Sequence, residues 1–206
     1  MAQRPQTEPD PDRALVRDLA SKDAEVRRRA LGELYDRHHG RVFNTAYRVL
    51  GSFADAQDVT QDVFLHVADR IGSFRGDASL TSWVYRVTVN LSIDRRRRES
   101  RRAVPRAMGE TDGDRETGSP RPGIAEVPAD PSDVAAKEEA ERRVRAALAR
   151  LSPKLRAVVV LRYFENLSYD ELADVLDMSI GTVKSRLNRA HAALERALAA
   201  YVKGRP

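Results

Sequence analysis

No cysteine occurs among the 206 residues, so disulfide-stapled scaffolds and thiolate metal sites are excluded. Aromatic residues are scarce at 6% against 33% charged, a balance that suits small helical domains with wide solvated faces better than a β-sandwich. Long apolar runs are missing as well. No stretch approaches the roughly 18 residues a membrane helix needs, and the polar start, Met1 to Asp12 with Pro5, Pro9 and Pro11, does not read as a signal peptide. A soluble, cytoplasmic protein without membrane insertion is expected. Glycine-rich phosphate loops and the Gly-x-Ser-x-Gly nucleophile motif are also absent. His38 and His39 are sequence neighbours, and His66 and His191 have no cysteine or carboxylate cluster at ligand spacing. Neither enzyme activity nor a metal or cofactor is expected.

Positive charge is what the chain has in excess, with a net +5 that is unevenly spread. Residues 13–102 and 136–206 are both basic, whereas the intervening 103–135 is acidic and the 1–12 tail has more acids than bases. Basic surfaces attract polyanions, chiefly nucleic acid, through counterion release. Arg-rich helices that are merely solvated would leave the same signature.

Residues 103–135 hold 5 of the 10 prolines and 4 of the 11 glycines, with few large apolar side chains. Such a segment buries too little surface to offset its ordering entropy, and it reads as a flexible acidic linker. The expected organisation is all-α: a disordered tail (1–12), a helical domain (13–102), the linker (103–135) and a second helical domain (136–206). In the first domain the apolar positions Leu31, Leu34, Tyr35, Val42, Ala46, Val49 and Leu50 recur at helical spacing, punctuated by Gly40 and Gly51. Asp55 reads as the N-cap of a helix whose face is Val59, Val63, Val67 and Ile71. A turn at Phe74-Arg75-Gly76-Asp77 precedes a helix from about Ser79 to Arg98.

The second domain opens with a charged helix from about Asp133 to Arg150, and Ser152-Pro153 starts another. Ser168-Tyr169-Asp170-Glu171 has the form of a capping box, with Leu167 and Leu172 placed as a hydrophobic staple. That short helix ends near Leu176, the chain turns at Asp177-Met178-Ser179, and a longer helix runs to about Ala200. Two helices across such a turn match a helix-turn-helix. In the longer one Val183, Leu187, Ala190, Leu194 and Leu198 face inward, leaving Thr182, Lys184, Ser185, Arg186, Asn188 and Arg189 outward. These suit a major groove: Lys and Arg donate to guanine, Asn pairs with adenine, and Ser or Thr contacts bases or phosphates. A helical hairpin with a solvated face is the plainer alternative.

Three motifs in order resemble the bacterial sigma-70-type transcription initiation factors, in particular the small extracytoplasmic-function (ECF) group. The run Asp55-Ala56-Gln57-Asp58-Val59-Thr60-Gln61-Asp62-Val63-Phe64 is similar to the acidic helix with which these factors grip core RNA polymerase. Phe74-Arg75-Gly76-Asp77, Trp83-Val84-Tyr85-Arg86, Asn90 and Ile93-Asp94 resemble the segment that reads and opens the −10 promoter element. Ile180-Gly181-Thr182-Val183-Lys184-Ser185-Arg186-Leu187 is similar to the family's −35 reading helix. Asp177 stands where glycine is common, although Asp tolerates the left-handed conformation.

The resemblance implies a specificity subunit without chemistry of its own. Asp55, Asp58, Gln61 and Asp62 would form the polymerase interface, toward the beta-prime clamp and the beta subunit. Phe74, Arg75, Trp83, Tyr85, Arg86 and Asn90 would hold the separated strand, and Arg95 and Arg98, from a run of six arginines in eight residues, would meet duplex phosphate. Trp83 also lies on the apolar stripe between Leu80 and Val87, a position that favours a core role. An anti-sigma protein is a further partner implied by the resemblance. Because the Thr-Val-Lys segment also occurs in activator-type helix-turn-helix domains, the first half decides between a sigma factor and an activator that binds DNA alone. A scaffold using its helical faces for protein contacts is a third reading.

Overall fold

The computed structural model describes residues 12–74, 79–103 and 131–202. Eight α-helices follow in order: α1 (Arg13–Leu19), α2 (Ala24–Leu50), α3 (Phe53–Arg70), α4 (Leu80–Ala103), α5 (Pro131–Ala149), α6 (Pro153–Tyr163), α7 (Tyr169–Leu176) and α8 (Ile180–Val202). A single 3₁₀ turn, Ile71–Ser73, closes α3, and no strand occurs among the described residues.

Helix α2 begins at Asp23, whose carboxylate accepts the amides of Glu25 and Val26, and stops at Gly51 in the left-handed region (φ 79°). Gly40, expected to divide it, does not. The buried stripe Ala30, Leu34, His38, Val42, Ala46 and Val49 runs unbroken past it, and that burial outweighs the roughly 1 kcal/mol that one glycine costs a helix. The N-cap of α3 is likewise corrected: Ser52, not Asp55, is the cap, its hydroxyl accepting the Asp55 amide. Asp55 therefore stands one turn inside, where its charge favours the helix dipole. Helices α2, α3 and α4 pack together, with α1 laid on α2, around Leu34, Val42, Ala46, Val59, Val63, Val67, Leu80 and Val84.

In the second half, the Ser168–Glu171 capping box is present in both directions at the start of α7, and Leu167 and Leu172 are both buried. Asp177 ends α7 in the left-handed conformation (φ 49°). Helix α5 starts at Pro131 and α4 reaches Ala103, so both ends of the expected linker are helical. Its remainder, 104–130, lies outside the described residues.

The two halves share a core. Val49 of α2 and Tyr85 and Val89 of α4 are buried with Val158 and Leu161 of α6 and Leu172 and Val175 of α7. Helix α4 is thus apolar on two sides, one toward α2 and α3, the other toward α6 and α7.

Candidate nucleic-acid interface

Helix α8 sorts its side chains by the helical period. Val183, Leu187 and Ala190 are buried at 0%, 2% and 0% exposure, which anchors the helix on α6 and α7. Lys184, Ser185, Asn188 and Arg189 are exposed on the opposite side, with Thr182 and Arg186 half-buried at its edges. Ser179 caps the start, its hydroxyl accepting the Thr182 amide at 3.2 Å and meeting the Thr182 hydroxyl at 2.9 Å. Arg189 is laid back along the helix by bonds from Nε to the Ser185 carbonyl at 3.4 Å and from Nη2 to Ser185 Oγ at 3.3 Å. The result is a row of exposed polar and basic side chains on a braced helix.

Helix α3 presents Asp58, Gln61 and Asp62 to solvent while Asp55 is half-buried. Arg95 of α4 lies across the start of this face. It reaches Asp55 Oδ1 from Nε and Nη2 at 2.9 and 2.5 Å and Asp58 Oδ2 at 2.9 Å. Partial burial pushes the Asp55 carboxyl up, but hydrogen bonds from Ser52, Glu99 and Arg95 outweigh it and hold the group below its ordinary value. The bonds to Asp55 and Asp58 raise the Arg95 pKa in turn. Arg95, expected on phosphate, is therefore the partner of two acids expected on polymerase. Arg98 and Asn90 are exposed.

Phe74 and Trp83 lean on one another with ring centroids 5.5 Å apart, and both pack half-buried against the first core. Arg75 lies outside the described residues. Tyr85 is only 4% exposed, its phenol donating to Glu165 Oε2 at 2.6 Å. Burial, then the Glu165 carboxylate, pushes the Tyr85 phenol far above its ordinary value. Arg86 donates through Nη2 to the backbone carbonyl of Asp174 in α7. The second half thus engages two of the residues expected to hold a DNA strand.

Sequence reasoning missed Glu165 and Arg156. Glu165 also accepts from Thr45 Oγ1 at 2.9 Å. Arg156, 3% exposed, donates to the carbonyls of Val49 and Ala149 at 2.7 Å each and of Leu151 at 3.3 Å. Burial lowers its pKa to about 10, helped by the charge of Arg96. The available signal was a single charge inside the apolar run Leu155–Leu161: a charge there must find buried acceptors. Among the described residues no group of three His, Asp or Glu is placed to hold a metal ion, and no helix is long and apolar enough to cross a membrane.

Family models match segments in both halves of the chain. The family described as Sigma-70 region 2 matches residues 34–102, and Sigma-70, region 4 matches residues 141–194. The ECF RNA polymerase sigma factor SigM of Mycobacterium tuberculosis is 35% identical over 171 residues, 83% of this chain and 78% of the relative. The chain belongs to the ECF sigma factors of the sigma-70 family. It is a transcription initiation factor, of the kind that directs RNA polymerase to promoters. In this sigma factor, region 2 holds most of α2 with α3 and α4, and region 4 holds the end of α5 with α6, α7 and most of α8. SigW of Bacillus subtilis is 28% identical over 173 residues, 82% of this chain and 89% of the relative. Among solved structures, that of CnrH in complex with the cytosolic domain of CnrY is similar at a TM-score of 0.60 and 28% identity, over 92% of this chain and 97% of that one.

Proposed function

We propose that this sigma factor binds core RNA polymerase through the exposed acidic face of α3, reads the −35 element with α8, and holds the opened −10 strand along α4. Asp58, Gln61 and Asp62 meet basic residues of the beta-prime clamp, and region 4 rests on the beta subunit. The observation that carries the reading is the division of α8: a buried seam of Val183, Leu187 and Ala190 backing an exposed row of Lys184, Ser185, Asn188 and Arg189. Such a row offers bidentate donors to bases. Asn90 and Arg98 serve the opened strand and its upstream duplex, while Phe74 and Trp83 brace the helix that carries them. Arg95 is a positioning residue that ties α4 to α3.

The protein acts in the cytoplasm by binding alone, and the energy for strand opening comes from contacts made with the separated bases. An anti-sigma protein is a further partner, a reading supported by the likeness to CnrH, which is solved bound to part of CnrY.

The experiment is run-off transcription with purified core polymerase on genomic fragments, paired with gel retardation of the same fragments. Promoter-specific transcripts that need both core enzyme and this chain are expected. Tight, specific retardation by the chain alone, with no transcript, would instead identify an activator.

A further inference from the structure

Ion pairing divides the exposed side of α3 unevenly. At about 3.6 residues per turn, Asp58, Asp62, Leu65 and Asp69 fall in one strip about 60° wide, on the side away from the buried Val63 and Val67. The start of that strip is already occupied from within the chain. Arg95 holds Asp55 with two bonds and Asp58 with one, at 2.5–2.9 Å. Asp62 and Asp69, the other two acids of α3, make no ion pair among the described residues. Between these two lies Leu65, 59% exposed, the most exposed large hydrophobic side chain among the described residues. Asp62 and Asp69 are its i−3 and i+4 neighbours and Gln61 its i−4 neighbour, positions that meet across a helix surface. On the edge away from Arg95, Phe64 meets the exposed Tyr35 of α2 at 4.8 Å between ring centroids, and His39 stacks on Tyr35 at 4.9 Å.

We infer that the contact with core RNA polymerase is centred on Leu65, about two turns past Asp58, with Asp62 and Asp69 on its rim. The inference rests on the assignment of the exposed face of α3 to core enzyme, and it names the side chains on which that contact turns. Leu65 and Asp69 both lie beyond the 55–64 run that resembles the family motif. A single exposed leucine is commonplace on a protein surface. This one is set apart by its place between two unpaired acids and beside a ring cluster. An apolar centre with a polar rim is the ordinary anatomy of a protein interface, and truncation costs most at the centre. Covering Leu65 removes apolar surface from water and breaks no hydrogen bond, whereas Asp58 engages a partner fully only by giving up Arg95. The patch therefore selects an apolar side chain flanked by Lys or Arg on core enzyme. The apolar group seats on Leu65, and the cations meet Asp62 and Asp69.

The test is fluorescence anisotropy of labelled full-length chain against purified core polymerase, repeated across a salt series. Leu65→Ala should weaken binding about tenfold at every salt concentration, as the loss of an apolar contact does. Leu65→Lys should weaken it further, because it sets a cation against the cations of the partner. Asp69→Asn should weaken it about threefold at low salt, with the difference fading as salt is added. Urea midpoints of the Leu65 and Asp69 variants should match that of the parent, since both sites are exposed; a loss of affinity that follows a lowered midpoint would overturn the contact. A larger loss from Asp58→Asn than from Leu65→Ala would return the centre to the first turn and overturn the inference. Parental affinity of Leu65→Ala and Leu65→Lys beside a weakened Asp62→Arg would overturn it too, and leave the assignment of α3 standing. Parental affinity of all these variants, in a chain that binds core enzyme, would overturn both.

Discussion

Arg95 and Asp55, forty residues apart, are joined by two hydrogen bonds to a single carboxylate oxygen, at 2.9 and 2.5 Å. This pair ties α3, proposed to face polymerase, to α4, proposed to carry the −10 contacts. Arg95→Ala should cost about 1–2 kcal/mol in urea unfolding. Asp55→Asn should cost a similar amount, and the double variant less than the two together. Asp58→Asn, at a more exposed position (57% against 19% for Asp55), should stay within about 0.5 kcal/mol. Strict additivity of Arg95 and Asp55 would show that the pair contributes nothing.

Acid should weaken the first half through His38. Its side chain is 5% exposed, and burial lowers its pKa; Asp12, 3.5 Å away, opposes that, while Arg37 and Arg41 add to it. Unfolded chain therefore takes up the proton first as pH falls below about 6.5, the folded chain later, and stability drops through that window. His38→Gln should flatten the dependence of the urea midpoint between about pH 7 and 5. Parallel profiles for the two proteins would remove His38 as the cause.

Asp62→Arg should leave folding unchanged, because the side chain is exposed on α3. It should weaken binding to core polymerase about tenfold at low ionic strength, with the difference shrinking as salt is added. Fluorescence anisotropy of labelled chain against core enzyme measures both. An affinity that does not change at any salt would place the polymerase elsewhere.

If α8 reads the −35 element as proposed, Lys184→Ala or Arg189→Ala should each cost about 1–3 kcal/mol of promoter binding and relax preference at particular −35 positions. Thr182→Ala should act differently. Its hydroxyl meets Ser179 at the helix start, so the loss belongs to the cap, about 0.5–1 kcal/mol, and should weaken all promoters alike. Selection from a randomised −35 library with each variant holoenzyme separates the two patterns. Unchanged preference in Lys184→Ala and Arg189→Ala would mean that α8 does not read bases.

Local chemistry made much of this molecule legible in its sequence. The capping box at Ser168 and Glu171, the left-handed Asp177 and the apolar period of α8 each involve residues within a few positions of one another, so short-range hydrogen bonding and helical spacing determine them. Where a second interaction competes over distance, sequence pattern alone did not decide. Gly40 has the form of a break, yet the continuous burial of α2 carries the helix through it, and Asp55 has the form of a cap, yet Ser52 holds that place. The closure of region 4 onto α4 was the least accessible, because Glu165 finds Tyr85 across 80 positions and Arg156 finds the Val49 carbonyl across 107. Nothing in the spacing of a lone charge names its partner; a buried charge only demands one, and which group answers depends on how the helices pack.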